Sequence, residues 1–305
     1  MAERSGIEHR WSVLTQEDAR LDEGDGFYAR KAPTTAQRMQ IYAAEAPRLA
    51  LAAIGKLPDL GGITHLVVAS CTGFIAPGID QIIARRLGLS DNVERVLVGF
   101  MGCYAAVTAL RSARHIVRSQ PGSRVLTVTV ELSTLHHQNH IDIEPLLAGA
   151  QFGDGAAAAI VTDSGEGLSI EEGISAALEE SDELITWQIG DTGFQMHLSG
   201  EVPGRIAAAL ARDDVQTRVL GGERPEAFAV HAGGRSILDA VAKGLDLEPQ
   251  MLDHSRAVLR DFGNMSSSTL MFVLERVLRD RPESGVALAF GPGLAMEGFR
   301  FGWAE

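Results

Sequence analysis

The sequence is poor in cysteine, in aromatic residues and in positive charge, and it has no hydrophobic run of membrane-spanning length. Two cysteines in 305 residues cannot build a disulfide framework, so we expect a cytoplasmic protein whose thiols stay reduced. No signal peptide is recognisable, and together with the lack of a spanning run this argues against a membrane partner. The net charge of −13 argues against a nucleic acid partner.

Hydrophobic residues make up 45% of the chain, which is enough for a large globular core. In the first half, the hydrophobic pattern alternates between helical and strand periods. The predicted elements are a helix over 34–57 capped by Thr34 or Thr35, a strand over 64–70, a helix over Ile79–Leu87, strands over 95–98 and 124–130, a helix from Cys103 to about Arg118, and a strand entered through the glycine turn of 152–161.

The second half repeats this order of elements. AFAVHAGG matches LVVASCTG as a strand and a glycine turn, and SRAVLRDFGNMSSSTLMFVLERVL matches ERVLVGFMGCYAAVTALRSARHIV as a strand, a glycine elbow and a helix. SGVALAFGPGLAMEGFRFG is predicted to close the chain as two strands around a Gly-Pro turn. Cys71 and Cys103 are 32 residues apart, and His231 and Asn264 are 33 apart. We therefore predict an α/β fold of two duplicated halves, 1–165 and 166–305, with helices covering the sheets.

The segment RVLVGFMGCYAAVTAL places Cys103 at the N-terminal end of a predicted helix. The partly positive helix end favours the thiolate over the thiol, and a thiolate is a nucleophile suited to acyl groups. The alternative is that Cys103 is a small buried hydrophobic residue, which is the commoner fate of an intracellular cysteine.

In the duplicated frame, Cys103 and Asn264 occupy equivalent elbows, each directly after a glycine, and His231 ends the strand before the second elbow. Pseudo-twofold packing would bring the elbows face to face beside His231. The imidazole could then stabilise the thiolate, while His231 and Asn264 donate hydrogen bonds to a thioester carbonyl and stabilise the enolate of a decarboxylating malonyl thioester. Taken singly, Asn264 is explained as a helix cap and His231 as a satisfied strand-end histidine. Their matched repeat positions favour the catalytic interpretation.

These segments resemble a known family, the type III polyketide synthases, which include chalcone synthase and its bacterial relatives. GFMGCYAAVTALR resembles the family's nucleophile segment, AVHAGGRSILD its histidine segment and FGNMSSSTLMFVL its asparagine segment. The resemblance covers nearly the whole chain and implies catalytic roles for Cys103, His231 and Asn264. It also implies a thiolase-like fold with layered helices and sheets (αβαβα). SCTGFIAPGID and ELSTLHHQ resemble bacterial rather than plant members.

The resemblance further implies which residues shape the substrate cavity. FGDGAAAAIV places Phe152 at the junction of a CoA tunnel and the cavity, and AFGPGLAMEG places Pro292 in a loop of the cavity wall. Met196 falls on the family's second gatekeeper phenylalanine, and Trp187 falls where plant enzymes carry a small glycine. We therefore expect a cavity that is not shaped for a plant-type coumaroyl starter.

Three further positions follow from the same resemblance, and Arg235 is a candidate because it follows His231 by four residues. Cys71 and His136 fall on threonines that line the cavity, so we expect both to line it here. Arg4 matches the last of the family's basic CoA contacts. Arg235 could meet a CoA phosphate, or it could be the solvated start of a helix.

Relative to the family, several dozen N-terminal residues are missing, including the first strand and some of the basic CoA contacts. We expect the loss of a strand to expose a sheet edge. Either the start codon has been placed too late, or the chain is a truncated and inactive copy.

The cluster of His136, His137, His140 and Asp142 invites interpretation as a metal site. Its spacing fits no strong zinc pattern, so we interpret it as a polar loop beside the cavity and expect no bound metal.

The sequence therefore predicts an acyltransferase that loads an acyl-CoA starter on Cys103 and extends it by iterative decarboxylative condensation with malonyl-CoA. The product would cyclise to a pyrone, a resorcinol or a phloroglucinol. We expect a homodimer that uses no cofactor besides its CoA thioester substrates. The alternatives are a single condensation of the ketoacyl-ACP synthase III type and a catalytically silent truncated copy.

Overall fold

The computed structural model describes residues 5–20, 25–29, 31–138, 146, 149–222 and 224–305. The principal helices are α1 (Thr35–Ile54), α2 (Ile79–Leu87), α3 (Ala105–Ser119), α4 (Val202–Leu210), α5 (Asp213–Leu220), α6 (Arg235–Gly244), α7 (Asp253–Phe262) and α8 (Ser268–Leu278). The strands are β1 (His65–Ser70), β2 (Glu94–Gly99), β3 (Val125–Leu132), β4 (Asp154–Val161), β5 (Gly167–Ala177), β6 (Ile185–Gly190), β7 (Gly193–Leu198), β8 (Ala227–Val230), β9 (Gly285–Gly291) and β10 (Ala295–Ala304).

Two four-stranded sheets organise the chain. The first has the strand order β2-β1-β3-β4, in which β1 runs parallel to both β2 and β3 while β4 runs antiparallel to β3. The second has the order β5-β10-β9-β8, in which β8 and β9 are parallel and β10 is antiparallel to both β9 and β5. Both sheets therefore contain a parallel pair followed by an antiparallel strand, as the predicted duplication requires.

The alternation of side chains along the strands produces five layers. On β1, Leu66 and Val68 pack against α1 and α2, whereas Val67 and Ala69 pack against α3. The helices α3 and α8 fill the space between the sheets, because their apolar faces contact residues of β8, β9 and β10. The helices α4 and α6 cover the far face of the second sheet. This order of layers is the thiolase-like αβαβα arrangement that the sequence predicted.

The local predictions in the first half are confirmed with small shifts in the bounds. The helix predicted over 34–57 is α1, and Thr34 caps it: its hydroxyl accepts the Gln37 backbone N–H while the Gln37 side chain accepts the Thr34 N–H. This reciprocal pair is a capping box. The prediction for α2 has the observed bounds.

One prediction in the second half is wrong. The segment SRAVLRDF was predicted to be a strand equivalent to β2, but it lies within helix α7. Its buried residues Ser255, Val258 and Leu259, together with Leu252 directly before the helix, recur at helical spacing, and this spacing favours a helix over a strand. The sequence analysis also did not predict β5 or the β6–β7 hairpin.

The two sheets differ at the edge beyond the antiparallel strand. In the second sheet, β10 pairs with β5 on the side away from β9. Among the described residues, the corresponding strand β4 pairs with β3 alone. Within the same part of the chain, no helix is long and apolar enough to cross a membrane.

Candidate active site

A mostly apolar cavity lies where the carboxyl ends of β1, β2, β8 and β9 meet, which is where side chains from parallel strands converge. The cavity is partly open to solvent. The sequence analysis had singled out eight of its lining residues: Cys71, Cys103, Phe152, Trp187, Met196, His231, Asn264 and Pro292.

The glycines that precede Cys103 and Asn264 have similar φ angles. Gly102 has a φ of 73° and Gly263 has a φ of 70°, in the left-handed region that favours glycine. A Cβ at Gly102 would stand 2.5 Å from the Pro292 ring, and one at Gly263 would stand 2.8 Å from a backbone oxygen. Each glycine therefore permits both the turn and the close approach that presents the next side chain to the cavity.

The Asn264 elbow is fixed by backbone pairing with the other half of the molecule. The Asn264 N–H donates to the Gln151 carbonyl at 2.8 Å, and the Gly153 N–H donates to the Asn264 carbonyl at 2.9 Å. These two bonds form an isolated parallel bridge between Phe152 and Asn264. The bridge fixes the position of Phe152 relative to Asn264.

Hydrogen bonds also decide which way the Asn264 amide faces. Its oxygen accepts the Ser266 backbone N–H at 2.8 Å, a role that only the oxygen end of the amide can fill. The amide nitrogen donates to the Gly233 carbonyl at 3.1 Å. Among the described residues, the second amide N–H makes no further hydrogen bond.

The neighbours of the Cys103 sulfur differ from those that the sequence suggested. The Ser266 and Asn264 side chains lie close enough to lower the pKa of the Cys103 thiol. His231 is 1% exposed, and within the described chain neither of its ring nitrogens has a hydrogen-bond partner. The imidazole thus lines the cavity with both nitrogens available.

Burial sets the protonation states at this site. Removal from water raises the pKa of the Cys103 thiol to about 12, although the nearby Ser266 and Asn264 side chains oppose the shift. It also lowers the pKa of His231 to about 3. Both shifts favour a neutral thiol and a neutral imidazole. The helix-end effect predicted from the sequence does not outweigh desolvation.

Glu131 was missed by the sequence analysis, although a lone charged residue at the end of the apolar run VLTVTVEL was a signal for it. Its carboxyl group is fully buried and accepts the Cys71 backbone N–H at 3.0 Å and the Thr72 hydroxyl at 2.9 Å. It also accepts a hydrogen bond from the Ser267 hydroxyl. Burial raises the pKa of Glu131 to about 7. The carboxyl group ties the end of β1 to the loop that follows Asn264.

Three predicted cavity residues form a partition between two cavities. Phe152, Trp187 and Met196 line the catalytic cavity and also a second, larger one. Residues of segments 10–19 and 133–138 make up most of the rest of the wall of the second cavity. Trp187 and Met196 are cross-strand partners in the β6–β7 hairpin. The hairpin turn is anchored to α1, where Thr35 donates its N–H to Asp191 at 2.8 Å.

His136 lies in the second cavity rather than among the residues that line the catalytic one. One ring nitrogen hydrogen-bonds the Thr72 carbonyl at 2.7 Å, and the other accepts the Phe194 N–H at 3.0 Å. The imidazole also stacks on the Phe194 ring at 4.1 Å. Burial lowers the pKa of His136 to about 4. These contacts hold the hairpin against the end of β1. Because both ring nitrogens make hydrogen bonds, neither is left to bind a metal.

The remaining predicted positions lie at the margin of the site. Arg235 begins α6, where its largely exposed side chain pairs with Asp239 at 3.7 Å. This position is compatible with either of the two roles considered for it. Arg4, His140 and Asp142 lie outside the described residues.

Comparison with known proteins places the chain in a family. The profile described as "Chalcone and stilbene synthases, N-terminal domain" matches residues 1–165, and the corresponding C-terminal domain profile matches residues 169–301. An alpha-pyrone synthesis polyketide synthase-like protein, Pks18 of Mycobacterium tuberculosis, is 33% identical over 98% of this chain and 80% of its own length. The bisdemethoxycurcumin synthase of Oryza sativa is 34% identical over 97% of this chain and 80% of its own length.

Solved structures agree. The polyketide synthase PKS-I of the brown alga Ectocarpus siliculosus has a TM-score of 0.89 at 31% identity and covers 99% of this chain and 87% of its own. The 1,3,6,8-tetrahydroxynaphthalene synthase of Streptomyces coelicolor has a TM-score of 0.88 at 26% identity, covering 99% and 88%. The fold is that of the thiolase-like condensing enzymes. The chain belongs to the chalcone and stilbene synthase family and is a type III polyketide synthase.

The protonation states predict opposite pH responses for two buried groups. In the unfolded chain, His231 binds a proton below about pH 6.5, whereas in the folded chain it does so only near pH 3. Acid therefore favours unfolding at this position. We expect the His231→Gln variant to gain stability relative to the unmodified protein by about 1.4 kcal/mol per pH unit as the pH falls from about 6 to about 4.

Glu131 provides the control of opposite sign. Its folded pKa of about 7 lies above its ordinary value, so its contribution to stability is full in acid and is lost as the pH rises to about 7. The Glu131→Gln variant should therefore gain relative stability as the pH rises. Urea unfolding of the three proteins at several pH values measures both slopes. Differences that stay constant with pH would contradict the assigned protonation states.

Proposed function

We propose that Cys103 is the acyl carrier in an iterative condensation with His231 and Asn264. The thiol proton passes to the neutral His231 imidazole while the sulfur attacks an acyl-CoA starter. A carbon–sulfur bond forms to Cys103, the bond to CoA breaks, and the imidazolium returns its proton to the departing CoA thiolate. A low-dielectric site makes this concerted transfer favourable compared with a free thiolate.

Extension follows in the same cavity. Malonyl-CoA loses carbon dioxide, and the resulting enolate oxygen accepts hydrogen bonds from His231 and from the spare Asn264 amide N–H. The enolate carbon attacks the acyl thioester on Cys103, which forms a carbon–carbon bond and releases the cysteine sulfur. Return of the lengthened chain to Cys103 begins another cycle, and the finished chain cyclises to a pyrone, a resorcinol or a phloroglucinol.

The observation that carries the proposal is the pair of available donors beside the sulfur. A buried histidine with no partner among the described residues and an amide with a fixed orientation are costly to retain unless a ligand completes their hydrogen bonds. These groups supply the proposed chemistry, so it requires no metal or redox cofactor. The reaction needs a free thiol, which supports the cytoplasm as its compartment.

The direct test is incubation with malonyl-CoA and a panel of short, aromatic and long acyl-CoAs, followed by mass detection of products and of the protein. We expect a Cys103→Ala variant to form neither the acyl-enzyme nor an extended product. A Cys71→Ala variant should still carry the acyl mass on the peptide that contains Cys103. Extended products from Cys103→Ala would overturn the mechanism, and activity with malonyl-ACP that stops after one extension would favour the ketoacyl-ACP synthase III alternative.

The size of the starter and product is proposed to depend on Trp187. Its side chain belongs to the partition between the two cavities, so removing it joins part of the second cavity to the first. We expect Trp187→Gly to raise the preference for bulky over short acyl-CoA starters by roughly tenfold. Ile189→Ala, on the same strand but with a 56% exposed side chain, serves as the matched control. An unchanged starter preference in Trp187→Gly would contradict the role of this residue.

We also propose that two copies associate through β2. This edge strand exposes Val96 and Leu97, and Phe74 and Phe100 lie exposed nearby. Exposed apolar edge strands promote uncontrolled pairing between chains. A dimer in which the β2 edges of two copies cover each other would form a closed assembly. Because Phe100 also lines the catalytic cavity, the interface would adjoin the site.

Light scattering after gel filtration tests this association. The unmodified protein should have the mass of two chains, and Val96→Asp should shift it to the mass of one. A monomeric unmodified protein would rule out the dimer.

A further inference from the structure

Arg10, which the sequence analysis did not single out, lies against the elbow that carries Asn264. Its Nη1 donates to the Phe152 carbonyl at 3.1 Å and to the Gly149 carbonyl at 3.3 Å. Its aliphatic stem packs on Gly263, where an added Cβ would stand 3.0 Å from the Arg10 Cγ. One side chain therefore contacts both of the segments that the bridge between Phe152 and Asn264 joins.

The main chain on either side of Arg10 is fixed to the same two parts of the fold. Before it, the Glu8 N–H donates to the Arg260 carbonyl in the last turn of α7 at 2.8 Å. After it, the Trp11 carbonyl accepts the N–H of Asp154, the first residue of β4, at 2.8 Å. Because the backbone is anchored before and after Arg10, its side chain extends from a fixed position.

We propose that Arg10 is a positioning residue, which keeps the Asn264 amide directed at the enolate oxygen during the decarboxylation of malonyl-CoA. The inference rests on the proposed role of Asn264 in that step. A donor stabilises a developing negative charge only when its distance and angle are right, because a hydrogen bond weakens steeply with poor geometry. By holding the main chain on both sides of the bridge, Arg10 limits how far that donor can move.

Two features of Arg10 suit it to this role. Hydrogen bonds from an ionised donor are roughly twice as strong as those between neutral groups, and the guanidinium makes two of them to carbonyl oxygens. In the described part of the chain, Arg10 lines the second cavity rather than the catalytic one. It therefore acts on the reaction through the residues that it holds and not through contact with the reacting atoms.

The test compares two steps of the reaction in Arg10→Met, which keeps an unbranched side chain over Gly263 but loses the donors. We expect the release of carbon dioxide from malonyl-CoA to slow by about tenfold, because a small misplacement of a catalytic group has a cost of this order. Acylation of Cys103, which in the proposed mechanism uses His231 and not Asn264, should keep the rate of the unmodified protein. Arg10→Lys keeps the charge and a donor and should recover most of the lost rate.

Arg218→Met is the matched control. Arg218 also donates from Nη1 to a backbone carbonyl, that of Ser175 at 3.1 Å, but it lies on α5, and its replacement should slow neither step. Equal slowing of both steps in Arg10→Met would contradict a positioning role, since a general loss of folded protein lowers both rates. Carbon dioxide release as slow in Arg10→Lys as in Arg10→Met would contradict the hydrogen bonds as the cause.

Hydrogen exchange tests the contact without any substrate. The N–H groups of Gly153 and Asn264 make the two hydrogen bonds of the bridge, so the exchange of peptides that contain them, followed by mass, measures how often the bridge opens. We expect about fivefold faster exchange in Arg10→Met, the order expected for the loss of one hydrogen bond, and unchanged exchange in Arg218→Met.

Unchanged exchange in Arg10→Met would overturn the proposal, whatever the rates of the two steps. If the unmodified protein released no carbon dioxide from malonyl-CoA, the proposed function would fail, and the exchange measurement would still decide whether Arg10 holds the elbow. The two failures are therefore distinguishable.

Discussion

The parallel bridge between Phe152 and Asn264 is the contact on which the site depends. Two backbone hydrogen bonds, at 2.8 Å and 2.9 Å, join the glycine turn of the first half to the elbow of the second. Backbone pairing fixes position more tightly than contacts between long side chains, because it leaves no rotatable bonds between the groups it joins. A shift of one residue at this bridge would move the Asn264 amide, the turn that contains Ser266 and the Phe152 side chain together. The register of the main chain therefore sets how the hydrogen-bond donors are oriented toward Cys103.

Around that bridge, the site is built to be neutral until a substrate arrives. Burial suppresses the charge of both Cys103 and His231. The same burial makes each correctly placed donor more effective toward a developing negative charge, because water does not compete with it. Asn264 suits this setting better than an aspartate would, since a carboxylate would repel both the thiolate and the enolate. The buried Glu131 stays compatible with the site because three donors surround it and burial raises its pKa toward 7.

The sequence predicted much of this arrangement because the relevant signals are local. Capping at Thr34, the glycine elbows before Cys103 and Asn264, and the repeat spacing are all visible in short segments. The helix α7 was mistaken for a strand because the run RAVL is compatible with both helical and strand periodicity. The helical spacing becomes clear only when Leu252 and Ser255 are included. The protonation state of Cys103 was out of reach for another reason. It depends on burial beside residues such as His231 and Asn264, which are distant in the chain and meet Cys103 only in the fold, and no local pattern encodes that loss of water.

The proposed catalytic residues and the partition between the cavities belong to different elements of the fold. Cys103, His231 and Asn264 follow strands and elbows that are packed into the layers between and beside the sheets, where movement is restricted. The partition between the cavities is made instead by Phe152 and by two residues of the β6–β7 hairpin. That hairpin belongs to neither four-stranded sheet and is attached through its turn to α1 and through His136 to the end of β1. A substitution on the hairpin can therefore reshape the cavity without disturbing the bridge that positions the reacting groups.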